Sequence, residues 1–478
     1  MKHTYTRGYL VVLTLVFGAI LLMMVTSFVS FIVIENRAQH TKTDKATALQ
    51  IAEAGLDYYK WYLSHFPNDV TNGTTTPAPY VHTYDDPEGG ALGSFSLDIE
   101  GRTVCGDIAS IDITSTGTVA VAPEITRTVF GRYARPTVSE FSYIINSNVW
   151  AGPDRIIVGP YHSNGGIRMD GTNNSTVSSG VETWSCTSSF GCSPNSTKDG
   201  VFGAGPNSAF WSFPSPPINF TGLSVDLSAM KAKAQTGGGR YFAPSGNYGY
   251  HVIFKSNNTF DLYRVTNTTQ VWGYTTENDW QQERHVISNE TLVGNYTIPS
   301  ACSVIFLEDK VWLEGVVNTK VTIAAANVTT VGVSPSMILA DNITYGTGTS
   351  TGLLAIAEQD MLVGLDTPNN MTLKGIFVAQ NGRFGRNHYC TSECDSSHSG
   401  NEGLSSALDG YVERDTLTVN GTIVSNGREG TKWTSGGNFV SGYENRVNSY
   451  DRSLVSDPPP LTPHTSDTYK FIEWREVQ

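Results

Sequence analysis

Residues that can bind a metal ion or form a disulfide lie close together late in the chain, at His388, Cys390, Cys394 and His398. Two thiolates and two imidazoles can form a tetrahedral zinc site. In an oxidising compartment the same two cysteines form a short-range disulfide. The turn-rich sequence around them favours the disulfide, with zinc as the alternative, and no cofactor is predicted.

The other four cysteines extend this interpretation, because six is an even number. Cys186 and Cys192 are close in sequence, and a short loop disulfide between them is the simplest pairing. Cys105 and Cys302 then remain and are paired by elimination. Three disulfides indicate that this part of the chain is exported.

Paired carboxylates are the other candidate catalytic residues, because β-helix folds can host enzymes that hydrolyse polysaccharides with two acidic side chains. With 44 acidic residues in the chain, some pairs arise by composition alone. The sequence contains no nucleophile-elbow, zinc-protease, phosphate-loop or dinucleotide motif. We predict no catalytic residue and no enzyme. The available carboxylates are Asp341, Glu358, Asp360, Asp366, Asp409 and Glu413.

The first element that must position the rest is an uncharged run from Tyr9 to Ile34. As a helix it spans about 39 Å, which crosses a hydrocarbon core of about 30 Å with some tilt. Lys2, His3 and Arg7 precede the run, which places the N-terminus in the cytoplasm and the remainder outside. We therefore predict a single-pass membrane protein with an extracytoplasmic head.

The helix continues beyond the run, because apolar residues recur there at spacings of three and four. Pro67 ends it, followed by Asn68 and Asp69. A simple membrane anchor with a juxtamembrane helix is the alternative interpretation. The apolar stripe consists of Leu49, Ala52, Leu56, Tyr59 and Leu63.

The segments 7–13 (RGYLVVL) and 52–56 (AEAGL) resemble the N-terminus of type IV pilin-like proteins, and most closely the PilX-type minor pilin group. The resemblance implies that a prepilin peptidase cuts between Gly8 and Tyr9. Major pilins carry a glutamate at the fifth mature position, where this chain has Leu13. That difference favours a minor or tip-located subunit.

The composition of the head favours strands and turns, since only 16% of residues are charged and Gly, Ser, Thr and Asn are abundant. A net charge of −13 argues against binding nucleic acid. Residues 94–99, 111–119 and 126–130 alternate as antiparallel strands.

The head also contains a weak repeat, in which short strands flank a glycine and end at Asn-Gly. The copies span residues 157–165, 373–382 and 419–427. Such repeats predict a β-solenoid, and an antiparallel β-sandwich is the alternative. Head segments such as 159–167 and 311–315 also resemble PilX-like proteins, which implies a right-handed β-helix-like head.

The predicted fold is therefore mainly β, with a long N-terminal transmembrane helix, a small pilin-like β unit and a β-solenoid head. The boundaries are a leader at 1–8, the helix at 9–66, a small antiparallel β unit at 67–135, a solenoid-like head at 136–440 with an insertion at about 168–300, and a Pro-rich C-terminal segment with a final strand at 441–478.

The predicted function is that of a pilus-associated surface protein that displays its head for adhesion or a tip function. Its expected partners are other pilin-like subunits, the assembly machinery, the membrane and a surface glycan or host-cell ligand. A membrane-tethered, polysaccharide-active β-helix enzyme and a structural envelope protein are the alternatives.

Overall fold

The computed structural model describes residues 6–66, 69–223, 226–330, 332–348, 350–394, 402–466 and 468–477. The chain forms two compact units. Unit 1 comprises Met1–Arg102, Ser110–Ala134 and Lys470–Gln478, and unit 2 comprises Thr103–Ala109 and Arg135–Tyr469.

The α-helices are α1 (Thr6–His65), α2 (Phe220–Leu223), α3 (Leu227–Thr236) and α4 (Ser453–Ser456). Single 3₁₀ turns occupy Val138–Glu140, Ser188–Phe190, Ser208–Phe210 and Asp409–Tyr411.

The strands in chain order are β1 (Tyr80–Asp85), β2 (Ala91–Val104), β3 (Asp107–Val119), β4 (Ala122–Ala134), β5 (Tyr143–Ile145), β6 (Val149–Ala151), β7 (Arg155–Val158), β8 (Tyr161–Ser163), β9 (Ile167–Met169), β10 (Thr172–Asn173), β11 (Val177–Ser179), β12 (Thr183–Cys186), β13 (Ser196–Asp199), β14 (Val201–Phe202), β15 (Trp211–Ser212), β16 (Arg240–Phe242), β17 (Tyr250–Lys255), β18 (Thr259–Thr275), β19 (Asp279–Thr297), β20 (Val304–Leu307), β21 (Val311–Val317), β22 (Lys320–Ala325), β23 (Met337–Tyr345), β24 (Gly352–Ala357), β25 (Met361–Val363), β26 (Asn370–Ala379), β27 (Phe384–Gly385), β28 (Glu413–Ser425), β29 (Lys432–Ser435), β30 (Asn438–Ser449) and β31 (Lys470–Val477).

In unit 1 the C-terminal half of α1 packs on an antiparallel sheet in the order β1-β2-β3-β4-β31. The predicted stripe is buried except for Leu49, which is half-buried. Ala48 and Ile51 are buried beside it. The packing is close, because a Cβ on Gly117 would lie 2.5 Å from the Ala52 amide nitrogen.

The N-terminal half of α1 is exposed throughout, from Tyr9 to Ile34. Among the described residues, α1 is the one helix long and apolar enough to cross a membrane. The helix ends at His65, and two of the predicted stop residues, Pro67 and Asn68, lie outside the described residues. A long apolar N-terminal helix followed by a large β-rich region is thus the observed fold class.

Strand β31 joins the sheet of unit 1, where it pairs antiparallel with β4. The sequence placed it in a separate C-terminal segment with residues from 441 onward. In the structure that segment is divided, because β30 pairs in parallel with β28 inside unit 2. Local patterning identifies such strands but not their partners, which are distant in sequence.

Unit 2 is built from parallel strands that stack turn upon turn. One row runs β20, β22, β24, β26 and β28, each in parallel register with the next. Inward side chains such as Ile323, Ala355 and Phe377 form a continuous buried core. This pairing pattern is that of a β-solenoid, whereas the antiparallel sandwich would reverse successive strands. The stacked turns of this β-solenoid are here called the coil. The right-handed sense of the coil stays a prediction.

The order of the turns differs from the order of the chain. Strand β5 stacks on β28, β8 stacks on β5, β11 on β8 and β15 on β11. Residues from 168 to 212 therefore include strands of the coil, although the sequence suggested an insertion from about 168. The sequence there looked irregular because its strands are only two to four residues long.

The longest antiparallel departure from the coil among the described strands is a hairpin of β18 and β19, here called the arm (Thr259–Thr297). Strand β17 pairs with β21 of the coil on one side and with β18 on the other. The far end of the arm is attached at Tyr274, whose amide donates to the His388 carbonyl at 2.9 Å. The arm thus lies along several turns of the coil.

Three of the Asn-Gly positions, together with Asn146, which precedes a serine, form a hydrogen-bonded ladder along one corner of the coil. Asn164 donates to Asn146, and Asn146 donates to Asn426, each at 2.8 Å. Asn426 in turn donates to the Asn381 carbonyl at 3.1 Å. Because each turn of the coil contributes one rung, the sequence repeat is the trace of this ladder.

Candidate functional site

The residues of the predicted processing site lie at the start of α1. The helix already begins at Thr6, so the bond between Gly8 and Tyr9 is inside its first turns. Tyr9 is exposed. Cleavage at this bond stays a prediction.

All six cysteines are paired in three disulfides. Cys105 bonds to Cys302, with a Cα–Cα distance of 4.7 Å. Cys186 bonds to Cys192, and Cys390 to Cys394. These are the pairs considered from the sequence.

The zinc alternative requires free thiolates, but the sulfurs of Cys390 and Cys394 are bonded to each other. His398 lies outside the described residues. Among the residues that are described, no group of three or more His, Cys, Asp or Glu side chains could hold a metal ion. His388 sits among the rings of Tyr274, Trp280 and Trp433 instead. Burial lowers the pKa of His388 to about 4, which keeps its imidazole neutral.

The six carboxylates considered from the sequence have separate environments. Glu358 accepts a hydrogen bond from the Asn327 amide, and Asp409 accepts one from the Ser392 amide. Burial raises the pKa of Asp366. Of the six, Asp360 lines the cavity described next.

A polar groove of about 390 Å³ lies beside the coil, in unit 2. One wall is a corner of the coil, where the turns at Gln359, Gly382 and Gly427 stack directly. The Gly382 amide donates to the Gln359 carbonyl at 3.1 Å, and the Gly427 amide donates to the Gly382 carbonyl at 2.7 Å. Asp360 Oδ1 accepts the Arg383 amide at 2.8 Å. Backbone hydrogen bonds therefore make this wall rigid.

The other wall is the tip of the arm, which contributes Glu283. Tyr389 and Asn387 donate hydrogen bonds to its carboxylate. His285 Nδ1 lies 3.3 Å from Glu283 Oε1. Burial raises the pKa of Glu283, but His285 and the two hydrogen bonds outweigh it, and the net pKa lies below the usual range.

Glu283 is therefore an ionised, fully engaged carboxylate. A general acid for glycoside hydrolysis needs the opposite, a carboxyl group whose pKa is raised. The groove thus holds Glu283 as a structural anion that fixes the arm to the coil.

Two arginines, Arg383 and Arg428, complete the groove. Arg383 donates to the Asn387 side chain. Arg428 donates to the Ser189 carbonyl at 2.9 Å, and its guanidinium lies 4.4 Å from the centre of the Phe190 ring. Among the described residues, neither arginine has a carboxylate within 4.0 Å.

Sequence reasoning missed the arm side of this groove. Local alternation around the turn at 256–258 indicates a hairpin only over residues 250–263, whereas the arm continues to Thr297. The available signal was the turn at Glu277-Asn278-Asp279, which separates two alternating segments. The coil side was marked by the Asn-Gly repeats, although these did not reveal a cavity.

No family model matches the chain, and no curated protein matches it. Among solved structures, the chain is similar to the competence-associated pilin ComZ from Thermus thermophilus, with 13% sequence identity and a TM-score of 0.32. That similarity covers 91% of this chain and 98% of the other.

Proposed function

We propose that this protein is a membrane-anchored, type IV pilus-associated minor subunit of the PilX type, which displays its β-rich head for adhesion. The observation that carries the proposal is the two-part character of α1. Its first half is apolar on every face and exposed, and its second half buries one face on the sheet of unit 1.

A helix that is apolar all round requires a nonpolar environment on every side. A lipid bilayer supplies one before assembly, and a bundle of identical or related helices supplies one afterward. The partners are therefore the membrane, other pilin-like subunits and the assembly machinery. The N-terminus remains in the cytoplasm and the head is outside, as the basic residues before Tyr9 indicate.

Leu13 supports a minor role rather than a main fibre role. Major pilins have a glutamate at this position, and a carboxylate among packed apolar helices sets the register of a fibre. Leu13 can pack against neighbouring helices without that constraint. This favours incorporation of the subunit at the tip of a pilus, or at low frequency along it.

The head acts by binding and not by catalysis in this proposal. Its polar groove contains Glu283, whose pKa is lowered and whose carboxylate is engaged by three neighbours, which is unlike a general acid. Turnover of a polysaccharide by the purified protein would favour the enzyme alternative.

N-terminal sequencing of the native protein tests the proposal. We expect the mature chain to begin at Tyr9, and Gly8→Val to prevent the cut. Gly18→Val is the matched control, because a Cβ at Gly18 meets no neighbouring atom in the structure. A wild-type protein that retains Met1 would refute the pilin assignment.

A further inference from the structure

The polar groove has the chemistry of a binding site for a particular class of ligand. Its volume of about 390 Å³ lies within the range of about 300–1,000 Å³ that small-ligand sites occupy. Its lining is dominated by amide, hydroxyl and charged side chains, with Leu362 as an apolar exception. Such a lining suits a ligand that carries many hydroxyl groups.

Amide side chains come from both walls. The arm supplies Asn278 and Gln281, and the coil supplies Gln359, Asn381 and Asn387. An amide both donates and accepts hydrogen bonds, which matches the dual character of a sugar hydroxyl. No Phe, Tyr or Trp lines the groove among the residues that the structure describes.

The two arginines of the groove can bind an acidic group of the ligand. Some arginines of unit 2 pair with carboxylates, as Arg446 does with Asp154 and Arg155 does with Glu429. Others bind uncharged oxygens, as the buried Arg386 does with main-chain carbonyls.

Arg383 and Arg428 line the groove, and neither has a described carboxylate partner. Each donates one described hydrogen bond to an uncharged oxygen. Burial lowers the pKa of Arg428, and the charges of Glu277 and Glu429 oppose that shift without cancelling it, so a further anion beside the guanidinium would stabilise its charged form.

The carboxylates of the groove are already engaged. Glu283 is held by three neighbours, Asp360 accepts the Arg383 amide, and Glu277 accepts the Thr276 hydroxyl at 2.9 Å. These hydrogen bonds occupy acceptor sites of the carboxylates but leave their negative charge in place. An incoming anion must therefore bind at the two arginines, which have unused donors. A guanidinium binds a carboxylate through two parallel hydrogen bonds.

We propose that this groove binds an acidic glycan, with the carboxylate of a uronic or sialic acid held by Arg383 and Arg428 and the sugar hydroxyls held by the surrounding amides. This inference rests on the proposed adhesive role and specifies its ligand. A single-stranded nucleic acid fits less well, because such sites combine stacked aromatic rings with a basic surface, and this chain has a net charge of −13.

The test is calorimetric titration of the full-length protein in detergent micelles. The probes are sialyllactose, digalacturonate, neutral lactose and an oligothymidylate. We expect at least one acidic sugar to bind, and lactose to bind at least tenfold more weakly. Equal binding of lactose, preference for the oligonucleotide, or no binding of either acidic sugar would overturn the proposal.

Variants then locate the site. Arg428→Gln is expected to weaken acidic-sugar binding by about 10- to 100-fold, since a hydrogen bond to a charged group is lost. Arg428→Lys keeps the charge without the paired donors and is expected to lose less. Arg383→Gln gives a second measurement at the other arginine, should Arg428→Gln disturb folding.

Arg452→Gln is the control, because it removes the same charge from an exposed position outside the groove. Unchanged affinity in both groove variants would refute the site. The result is separable from the pilus assignment, because binding is measured on the purified chain and processing is read from its N-terminus. Processing at Gly8 without acidic-sugar binding would refute this inference alone.

Discussion

A buried histidine makes the stability of unit 2 depend on pH in a defined direction. His251, on β17, has its Nδ1 2.9 Å from Glu290 Oε2 and its Nε2 3.6 Å from Glu314 Oε1. Burial by itself lowers the pKa of His251. The hydrogen bond with Glu290 and the charges of Glu290 and Glu314 outweigh burial and raise that pKa to about 9, from an ordinary value of 6.5.

The sign follows from proton linkage. The folded protein holds this proton more tightly than the unfolded chain, so the stabilisation is fully present below pH 6.5 and is lost as pH rises through 9. A pKa difference of one corresponds to about 1.4 kcal/mol, which gives roughly 3 kcal/mol for His251.

The perturbation is His251→Gln, which keeps a donor beside Glu290 but cannot take up a proton. Urea unfolding of the full-length protein in micelles, followed by tryptophan fluorescence, gives the unfolding free energy of unit 2 at several pH values. We expect the wild type to lose roughly 3 kcal/mol more than the variant between pH 6.5 and pH 9.5.

His40→Gln is the matched control, since His40 is exposed on α1, and it should retain the wild-type pH dependence. If wild type and His251→Gln lose stability in parallel over this pH range, the assigned interaction of His251 with Glu290 and Glu314 is wrong.

Two further predictions concern packing. Gly117→Val should destabilise unit 1 by at least about 1–3 kcal/mol, because a side chain there collides with the Ala48 carbonyl and crowds the Ala52 amide; thermal unfolding measures this, and Gly410→Ala, where a Cβ meets no neighbour, should change little. Asn146→Ala removes one asparagine from within the ladder and should lower the free energy of unfolding by about 1–2 kcal/mol, as measured in urea. An unchanged urea midpoint would show that the ladder does not stabilise the coil.

Much of the fold could be predicted from local patterns. The apolar run and the stripe that includes Ala52 and Leu56 specify one long helix with two environments, because a period of 3.6 residues places these side chains on one face. The glycines of the repeats could also be predicted to lie where the chain bends. Gly375 and Gly421 adopt φ values of +145° and +144°, a conformation that side-chain-bearing residues rarely adopt.

The groove could be predicted only in part. The Asn-Gly positions marked corners of the coil, but a corner becomes a wall of a cavity only when the arm lies beside it. The bridge between Tyr274 and His388 that places the tip of the arm joins residues more than a hundred positions apart. No local pattern encodes that contact.

Residue types and short spacings are enough to specify the apolar helix, the β-rich head, its repeat and the even set of cysteines. Three other features are visible only in the folded chain: β5 stacks on β28, β31 completes the sheet of unit 1, and Arg383 and Arg428 share one groove. These arrangements depend on which distant backbone groups satisfy one another, and alternating strands of similar composition offer many such partners.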